Sequence, residues 1–339
     1  MSTPSHVAPM IDPQISARRI FKLIASELGL VEEEFERQAR SNIQVIAYLS
    51  DYLRASGGKR VRPALTILAN YAVGGEAARH NSIRMAAVME FLHTATLVHD
   101  DIIDNAETRR NRPSINSRFG NQTAVLMGDW LYMSAFETSL SERSLPILDI
   151  LTTVTRKMTE GELLQLTLLG RTDLSEPQYL DILQRKTAFL FSACCEIGAI
   201  LGGAVEEQQS ALRNYGLQLG TAFQLIDDLL DFTATEETLG KAAGADLLEG
   251  KLTLPLIYLL EQDSSVRADV QTVMREGNYE QVNRKMLLEA VETSGALERA
   301  RERAWEYADA ARRSLSVLPE SKHCDALRSI PTYIIERDR

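Results

Sequence analysis

The chain has 339 residues, 45% of them hydrophobic and 25% charged, which is enough apolar material for a large core and excludes a disordered protein. A net charge of −10 argues against non-specific binding to nucleic acid or to an acidic membrane surface. An anionic ligand would need positive charge focused locally, by clustered Lys and Arg or by metal ions. Three cysteines, Cys194, Cys195 and Cys324, have no metal-ligand spacing and read as reduced core thiols of a cytoplasmic protein.

In chain order, residues 1–13 lack the basic-then-apolar pattern of a secretory signal and read as a flexible arm. Residues 14–339 read as a single all-α domain. Helices are predicted near 14–39, 42–55, 62–73, 80–104, 120–140, 145–168, 177–205 and 208–232, with shorter ones after 252. Loops are predicted at 56–60, 105–119, 170–175 and 235–251. Prolines 63, 113, 146, 177, 255, 319 and 331 mark helix starts or stops, and none falls within 64–112 or 178–254. Ser175-Glu176-Pro177-Gln178 has the form of a capping box. No apolar run reaches membrane-spanning length; the longest candidate, Leu190 to Val205, is interrupted by Glu196.

Two of the predicted helices end in carboxylate clusters. The segment Ile83 to Val98 is apolar around nearly its whole circumference, predicting burial, and leads into Asp100, Asp101 and Asp104. Phe223, Leu225 and Ile226 lead in the same way into Asp227, Asp228 and Asp231. At about 100° of rotation per residue, positions i, i+1 and i+4 share one helix face. Like charges so placed repel one another, and the helix macrodipole disfavours them at a C-terminal end. A cation has to offset this, and magnesium suits hard carboxylate oxygens. One such cluster is as readily a solvated acidic helix end; two, each closing an apolar proline-free helix, point to metal binding.

Basic segments lie beside both clusters. In Gly57-Gly58-Lys59-Arg60-Val61-Arg62-Pro63 the glycines let the backbone approach a ligand, and Lys59 and Arg62 can project onto it. Arg109-Arg110-Asn111-Arg112-Pro113 follows the first cluster, and Lys241 and Lys251 sit on a glycine-containing loop after the second. Singly, each is more often a solvated loop; beside the carboxylates, the set reads as a phosphate site. His93 lies two helical turns before Asp100, on the same face, where it can donate to a phosphate. His99 reads as a structural neighbour.

With these pieces in order, the chain resembles the trans-type polyprenyl diphosphate synthases from about Leu30 to its C-terminus. The motifs are GGKRVRP (57–63), FLHTATLVHDDIID (91–104), RRNRP (109–113), KTA (186–188), GTAFQLIDDLLDF (220–232) and GKAAGADLLEGKLTLP (240–255). The resemblance implies a bundle of long antiparallel helices around a central cavity, usually in a homodimer. It implies head-to-tail condensation of isopentenyl diphosphate with an allylic diphosphate such as geranyl or farnesyl diphosphate. About three Mg2+ ions would sit on Asp100, Asp104 and Asp227, with Asp101, Asp228 and Asp231 in support. Arg109, Lys186, Gln224, Lys241 and Lys251 would complete the allylic site, and Lys59, Arg62, His93 and Arg110 would hold isopentenyl diphosphate. Thr187 and Gln224 would stabilise the carbocation. Asn111 and Ala242 stand where the family usually has Gly and often has Pro, which puts only loop geometry in question.

In this family the residue five before the first aspartate often sets the cavity floor. Here it is Ala95, followed by Thr96, with Leu92 a turn below. By that resemblance the product is octaprenyl diphosphate, about C40 with C35 to C50 open, for quinone side chains. Peripheral membrane contact is left open as a route for product release. Two rivals remain: a class I terpene synthase, which cyclises one allylic diphosphate, and a non-catalytic subunit of a related synthase. The Lys59, Arg62, His93 and Arg110 set counts against the first, and the intact aspartate clusters against the second.

Overall fold

The computed structural model describes residues 17–54, 59–110, 112–233 and 244–336; the predicted arm (1–13), Asn111, Lys241 and Ala242 lie outside them. The helices are α1 (Ala17–Leu23), α2 (Ala25–Ala39), α3 (Gln44–Arg54), α4 (Val61–Ala72), α5 (Arg79–Ile103), α6 (Ile115–Phe119), α7 (Asn121–Ser139), α8 (Leu145–Leu168) and α9 (Glu176–Leu183). A π-helical turn, Gln184–Ala188, joins α9 to α10 (Phe189–Leu201). Then come α11 (Glu206–Thr233), α12 (Ala245–Leu248), α13 (Leu254–Gln262), α14 (Arg267–Glu276), α15 (Arg284–Thr293), α16 (Ala296–Ser314) and α17 (Lys322–Ile335). Among the described residues the strands are limited to a two-residue antiparallel hairpin, β1 (Thr108–Arg109) and β2 (Arg112–Pro113).

The all-α expectation holds, and α5 shows why. Its residues Met85 to Leu92 are all buried, because α2, α4, α7 and α10 surround it. Each large apolar side chain so covered, Phe91 and Leu92 for example, contributes about 1.5–3 kcal/mol. Phe35 of α2 stacks on Phe91 with ring centroids 4.1 Å apart. On the other side of the bundle α11 packs against α10 and α16. Small residues set how close it comes: a Cβ at Gly220 would lie 2.6 Å from the Cα of Ala188. That approach carries α11 against the π-helical turn.

Proline placement follows the expected pattern at the starts of α4, α8, α9 and α13. The capping box forms as predicted, with the Ser175 backbone N–H donating to Gln178 Oε1 at 3.1 Å. Pro331 departs from it and lies inside α17. A proline there cannot donate to the carbonyl of Leu327, and the hydroxyl of Tyr215 does so instead, at 2.7 Å.

Other boundaries also differ from the prediction. The first helix is broken at Ile24, which turns its side chain fully into the core. The expected loop 105–119 contains the hairpin and α6, capped by Ser114, and the expected loop 235–251 contains α12. The expected continuous helix 177–205 is interrupted by the π-helical turn, which nothing in the local apolar periodicity signals.

Candidate active site

A cavity of about 860 Å³ opens between α5, α8, α9, α11 and the 250–253 segment. Asp100 lines it from α5, and Asp227 and Asp228 line it from α11. The two clusters that sequence places 127 residues apart (Asp100 to Asp227) therefore share one pocket.

The six aspartates divide into two kinds. Asp101 is buried and turned to Arg109, whose Nε donates to Asp101 Oδ1 at 2.7 Å. Asp228 accepts from the Tyr179 hydroxyl at 2.5 Å and from Gln224 Nε2 at 2.9 Å, which occupies both of its oxygens. Asp231 is buried and accepts from the Asp246 backbone N–H at 3.2 Å. Asp100, Asp104 and Asp227 are the more accessible three. Asp104 caps α5 and meets Lys251 Nζ at 3.3 Å.

Electrostatics reflect this crowding. Burial pushes the Asp100 carboxyl up to about 7, and the carboxylate of Glu162 adds to the shift, while Lys186 and Arg109 oppose it. Burial likewise pushes Asp228 up to about 7, with Asp246 adding and the Tyr179 and Gln224 hydrogen bonds opposing. Burial pulls Lys251 down, but Asp104 and Glu249 outweigh it and hold the ammonium above the ordinary lysine value.

The same cavity carries a cationic set. Lys59, Arg62, His93 and Arg110 all line it. Arg62 lies over the Phe191 ring at 4.9 Å, and its Nε is shielded from solvent without a hydrogen-bond partner. Burial, then Arg62 and Arg110, hold His93 well below the ordinary histidine value, so its ring is neutral at pH 7 and carries one N–H. Between Lys59 and Arg62, the backbone of Arg60 runs left-handed (φ 50°). Its guanidinium is clamped by Glu32 of α2 and by Glu90 of α5, the latter at 2.5 Å.

On the far wall the π-helical turn presents Lys186 and Thr187 together. Lys186 Nζ lies 2.8 Å from Glu162 and 2.6 Å from Gln165 Oε1, both on α8. Gly161 makes room, since a Cβ there would meet Arg185 Cβ at 2.7 Å. Thr187 donates to Gln224 Oε1 at 2.9 Å.

The structure thus brings together Asp100, Asp227, Asp228, Lys59, Arg62, His93, Arg110, Lys186, Thr187, Gln224 and Lys251 around one cavity. Arg109 stands behind the wall on Asp101, and Lys241 lies outside the described residues. Of the product-length residues, Thr96 lines the cavity, whereas Ala95 and Leu92 are fully buried behind it. His99 also lines it, seated over Gly128 of α7 with Nε2 3.2 Å from the Val125 carbonyl. Sequence reasoning missed Glu90, Glu162, Gln165, Tyr179 and Asp246, all of which line the cavity. Glu162 and Gln165, as polar i, i+3 neighbours following Gly161, were the most visible signal.

Comparison with known proteins agrees with this geometry. Residues 43–291 match the Polyprenyl synthetase family. The chain is 40% identical over 326 residues to an octaprenyl diphosphate synthase of Escherichia coli (strain K12), covering 96% of this chain and 100% of that one. It is 37% identical to an all-trans-nonaprenyl-diphosphate synthase (geranyl-diphosphate specific) of Rhodobacter capsulatus, covering 93% and 96%. A polyprenyl synthase from Caulobacter crescentus, solved in complex with calcium and isoprenyl diphosphate, superposes with a TM-score of 0.89 at 36% identity, covering 96% and 98%. The chain belongs to the polyprenyl synthetase family and is an all-α prenyltransferase.

Proposed function

We propose that the chain extends an allylic diphosphate by successive head-to-tail additions of isopentenyl diphosphate, giving an all-trans product of about C40. The observation that carries this is one cavity lined both by carboxylates of α5 and α11 and by the separate cationic set of Lys59, Arg62, His93 and Arg110. A cyclising synthase has no use for the second set.

Asp100, Asp104 and Asp227 fit a magnesium site by their chemistry. They are hard oxygen donors, Asp100 and Asp227 lining the cavity and Asp104 one turn beyond Asp100, and Asp101, Asp228 and Asp231 are committed to protein donors. Among the described residues no ready-made cluster of three or more His, Cys, Asp or Glu side chains occurs, so diphosphate oxygens would complete the coordination. Bound ions supply positive charge to the departing diphosphate. Lys186 and Lys251 add ammonium charge to the same cavity, and Arg109 acts from behind through Asp101.

The guanidiniums of Arg62 and Arg110 and the neutral His93 N–H orient isopentenyl diphosphate. Its double bond then faces the allylic carbon as the carbon–oxygen bond breaks. Thr187 and Gln224 offer oxygens to the developing positive charge. The new carbon–carbon bond leaves a cation on the isopentenyl unit; the carbon beside it loses a proton to the departed diphosphate as the new double bond forms, so no side-chain general base is required.

A second copy of the chain is the occupant we assign to α7. Leu126, Met133 and Leu140 are exposed at seven-residue intervals along and just beyond this helix, beside exposed Val125. They share this exposed face with Asp129 and Glu137, a mixed surface that suits an isologous dimer. No helix among the described residues is long and apolar enough to cross a membrane. The test of the whole reading is incubation with radiolabelled isopentenyl diphosphate, farnesyl diphosphate and magnesium, followed by chain-length chromatography. An extended product ladder is expected, and absence of incorporation would overturn it.

A further inference from the structure

A single line of hydrogen bonds runs along the cavity through Asp228. The Tyr179 hydroxyl donates to Asp228 Oδ2 at 2.5 Å, and Gln224 Nε2 donates to Asp228 Oδ1 at 2.9 Å. The Thr187 hydroxyl donates to Gln224 Oε1 at 2.9 Å. Three elements supply the four groups: α9, the π-helical turn and α11.

The direction of this line is fixed by chemistry. A carboxylate only accepts, so Gln224 must turn its amino group toward Asp228. Its carbonyl oxygen is then left facing Thr187, whose hydroxyl proton is drawn onto it. A flipped amide would set its oxygen against a carboxylate oxygen, with no proton between them. Tyr179 completes the arrangement, because its donation occupies the second carboxylate oxygen and holds Asp228 in place. All four groups line the cavity, Tyr179 and Asp228 being the more buried pair. With its proton committed to Gln224, the Thr187 oxygen turns lone pairs, not an O–H, toward the cavity.

We propose that Tyr179 is a positioning residue for the ionisation step, acting through Asp228 and Gln224 so that oxygen lone pairs face the allylic carbon as it becomes positive. The proposal deepens the synthase reading and rests on it. It assigns to Asp228 a role in orienting an amide rather than in holding a metal. Tyr179 and Gln224 converge as donors on the two oxygens of Asp228, so the coupling is one of position: without the Tyr179 bond the carboxylate is free to rotate, and the Gln224 amide with it.

The test is single addition of isopentenyl diphosphate to farnesyl diphosphate by the full chain. Tyr179→Phe should lower kcat by roughly tenfold, as expected for removing one hydrogen bond to a charged group. KM for both substrates and the half-saturating magnesium concentration should stay within about twofold. The loss should deepen with a fluorinated allylic diphosphate, whose cation is harder to form. In a Thr187→Val background, Tyr179→Phe should cost almost nothing further, because the end of the line is already gone.

A residue that merely supports the fold would add its penalty in both backgrounds. Asp228→Asn is the companion variant should Tyr179→Phe not fold. Its amide can donate to Gln224 and reverse the line, lowering kcat without raising the magnesium requirement. Wild-type kcat in either variant, additive losses in the double variant, or a raised magnesium requirement in Asp228→Asn would overturn the proposal while leaving the synthase reading standing. A wild-type chain that incorporates no isopentenyl diphosphate would remove the reading itself, and the proposal with it.

Discussion

Lys186 holds its ammonium 2.8 Å from the carboxylate of Glu162, a residue one turn of α8 away from Gln165, which binds the same ammonium at 2.6 Å. Glu162 also faces Asp100 and helps to raise its pKa. The lysine is thus held at the cavity by partners on the neighbouring helix, and on the proposed function it would exchange them for a diphosphate oxygen. Lys186→Ala should lower kcat by about 100-fold, the usual effect of deleting a donor to a developing anion. Glu162→Gln keeps a hydrogen-bonding partner and should cost less, chiefly in KM for the allylic substrate. Steady-state kinetics with each substrate varied separately distinguish the two patterns.

The Arg60 clamp should act on the cationic set. Glu90→Ala removes one of the two carboxylates holding Arg60, leaving Glu32. The expected loss is about 1.5–3 kcal/mol of stability, as for a hydrogen bond to a charged group. KM for isopentenyl diphosphate should rise while KM for the allylic diphosphate stays near wild type, because Lys59 and Arg62 flank the clamped residue. An equal rise in both would show that the clamp serves the fold alone.

Asp100 makes stability depend on pH. Its folded pKa, about 7, lies above the ordinary 3.8, so between those values the folded state binds more protons than the unfolded one. Stability from this group is therefore present at low pH and is lost as pH rises through that window. In chelator, Asp100→Asn should gain stability relative to wild type, and the gain should grow as pH rises across the window. Denaturant titrations at several pH values measure it, and a pH-independent difference would contradict the assignment.

Leu126→Glu places a charge in the exposed strip of α7, which lies outside the cavity lining. Light scattering should show a dimer for the wild-type chain and a monomer for the variant, with helical content unchanged. A variant that stays dimeric would place the interface elsewhere.

Product length offers a graded test. Thr96 lines the cavity and Ala95 lies fully buried behind it, so Thr96→Phe intrudes directly. Ala95→Phe must displace its neighbours first, with an overpacking cost of about 1–3 kcal/mol. Both should shorten the product distribution on chain-length chromatography. Unchanged length in both would move the floor to lower positions such as Val88 or Phe136.

The course of α5 was legible because its cause is local: an apolar run without proline announces burial, and carboxylates at its end announce repulsion. The same holds for α11. What stayed hidden depends on long-range encounters. Glu162 gives no sign in sequence that it will meet Lys186, and Tyr179 reads as an ordinary aromatic of an amphipathic helix until Asp228 arrives 49 residues later. The division of each aspartate triplet was hidden for the same reason. Rotation about α5 puts Asp100 and Asp101 within one arc, but only the return of Arg109 from the hairpin turns Asp101 away.

The π-helical turn at Gln184–Ala188 shows what regularity would cost here. Its wider winding, closed by the Phe189 N–H on the Gln184 carbonyl, holds one residue more than an α-helical turn would. Deleting a single residue from it would let α9 and α10 merge into one even rod, a better helix by every local measure. It would also rotate Lys186 and Thr187 out of their shared outlook and leave Gly220 of α11 facing the wrong neighbour. The spare residue keeps the helix imperfect, and the imperfection gives this wall of the cavity its shape.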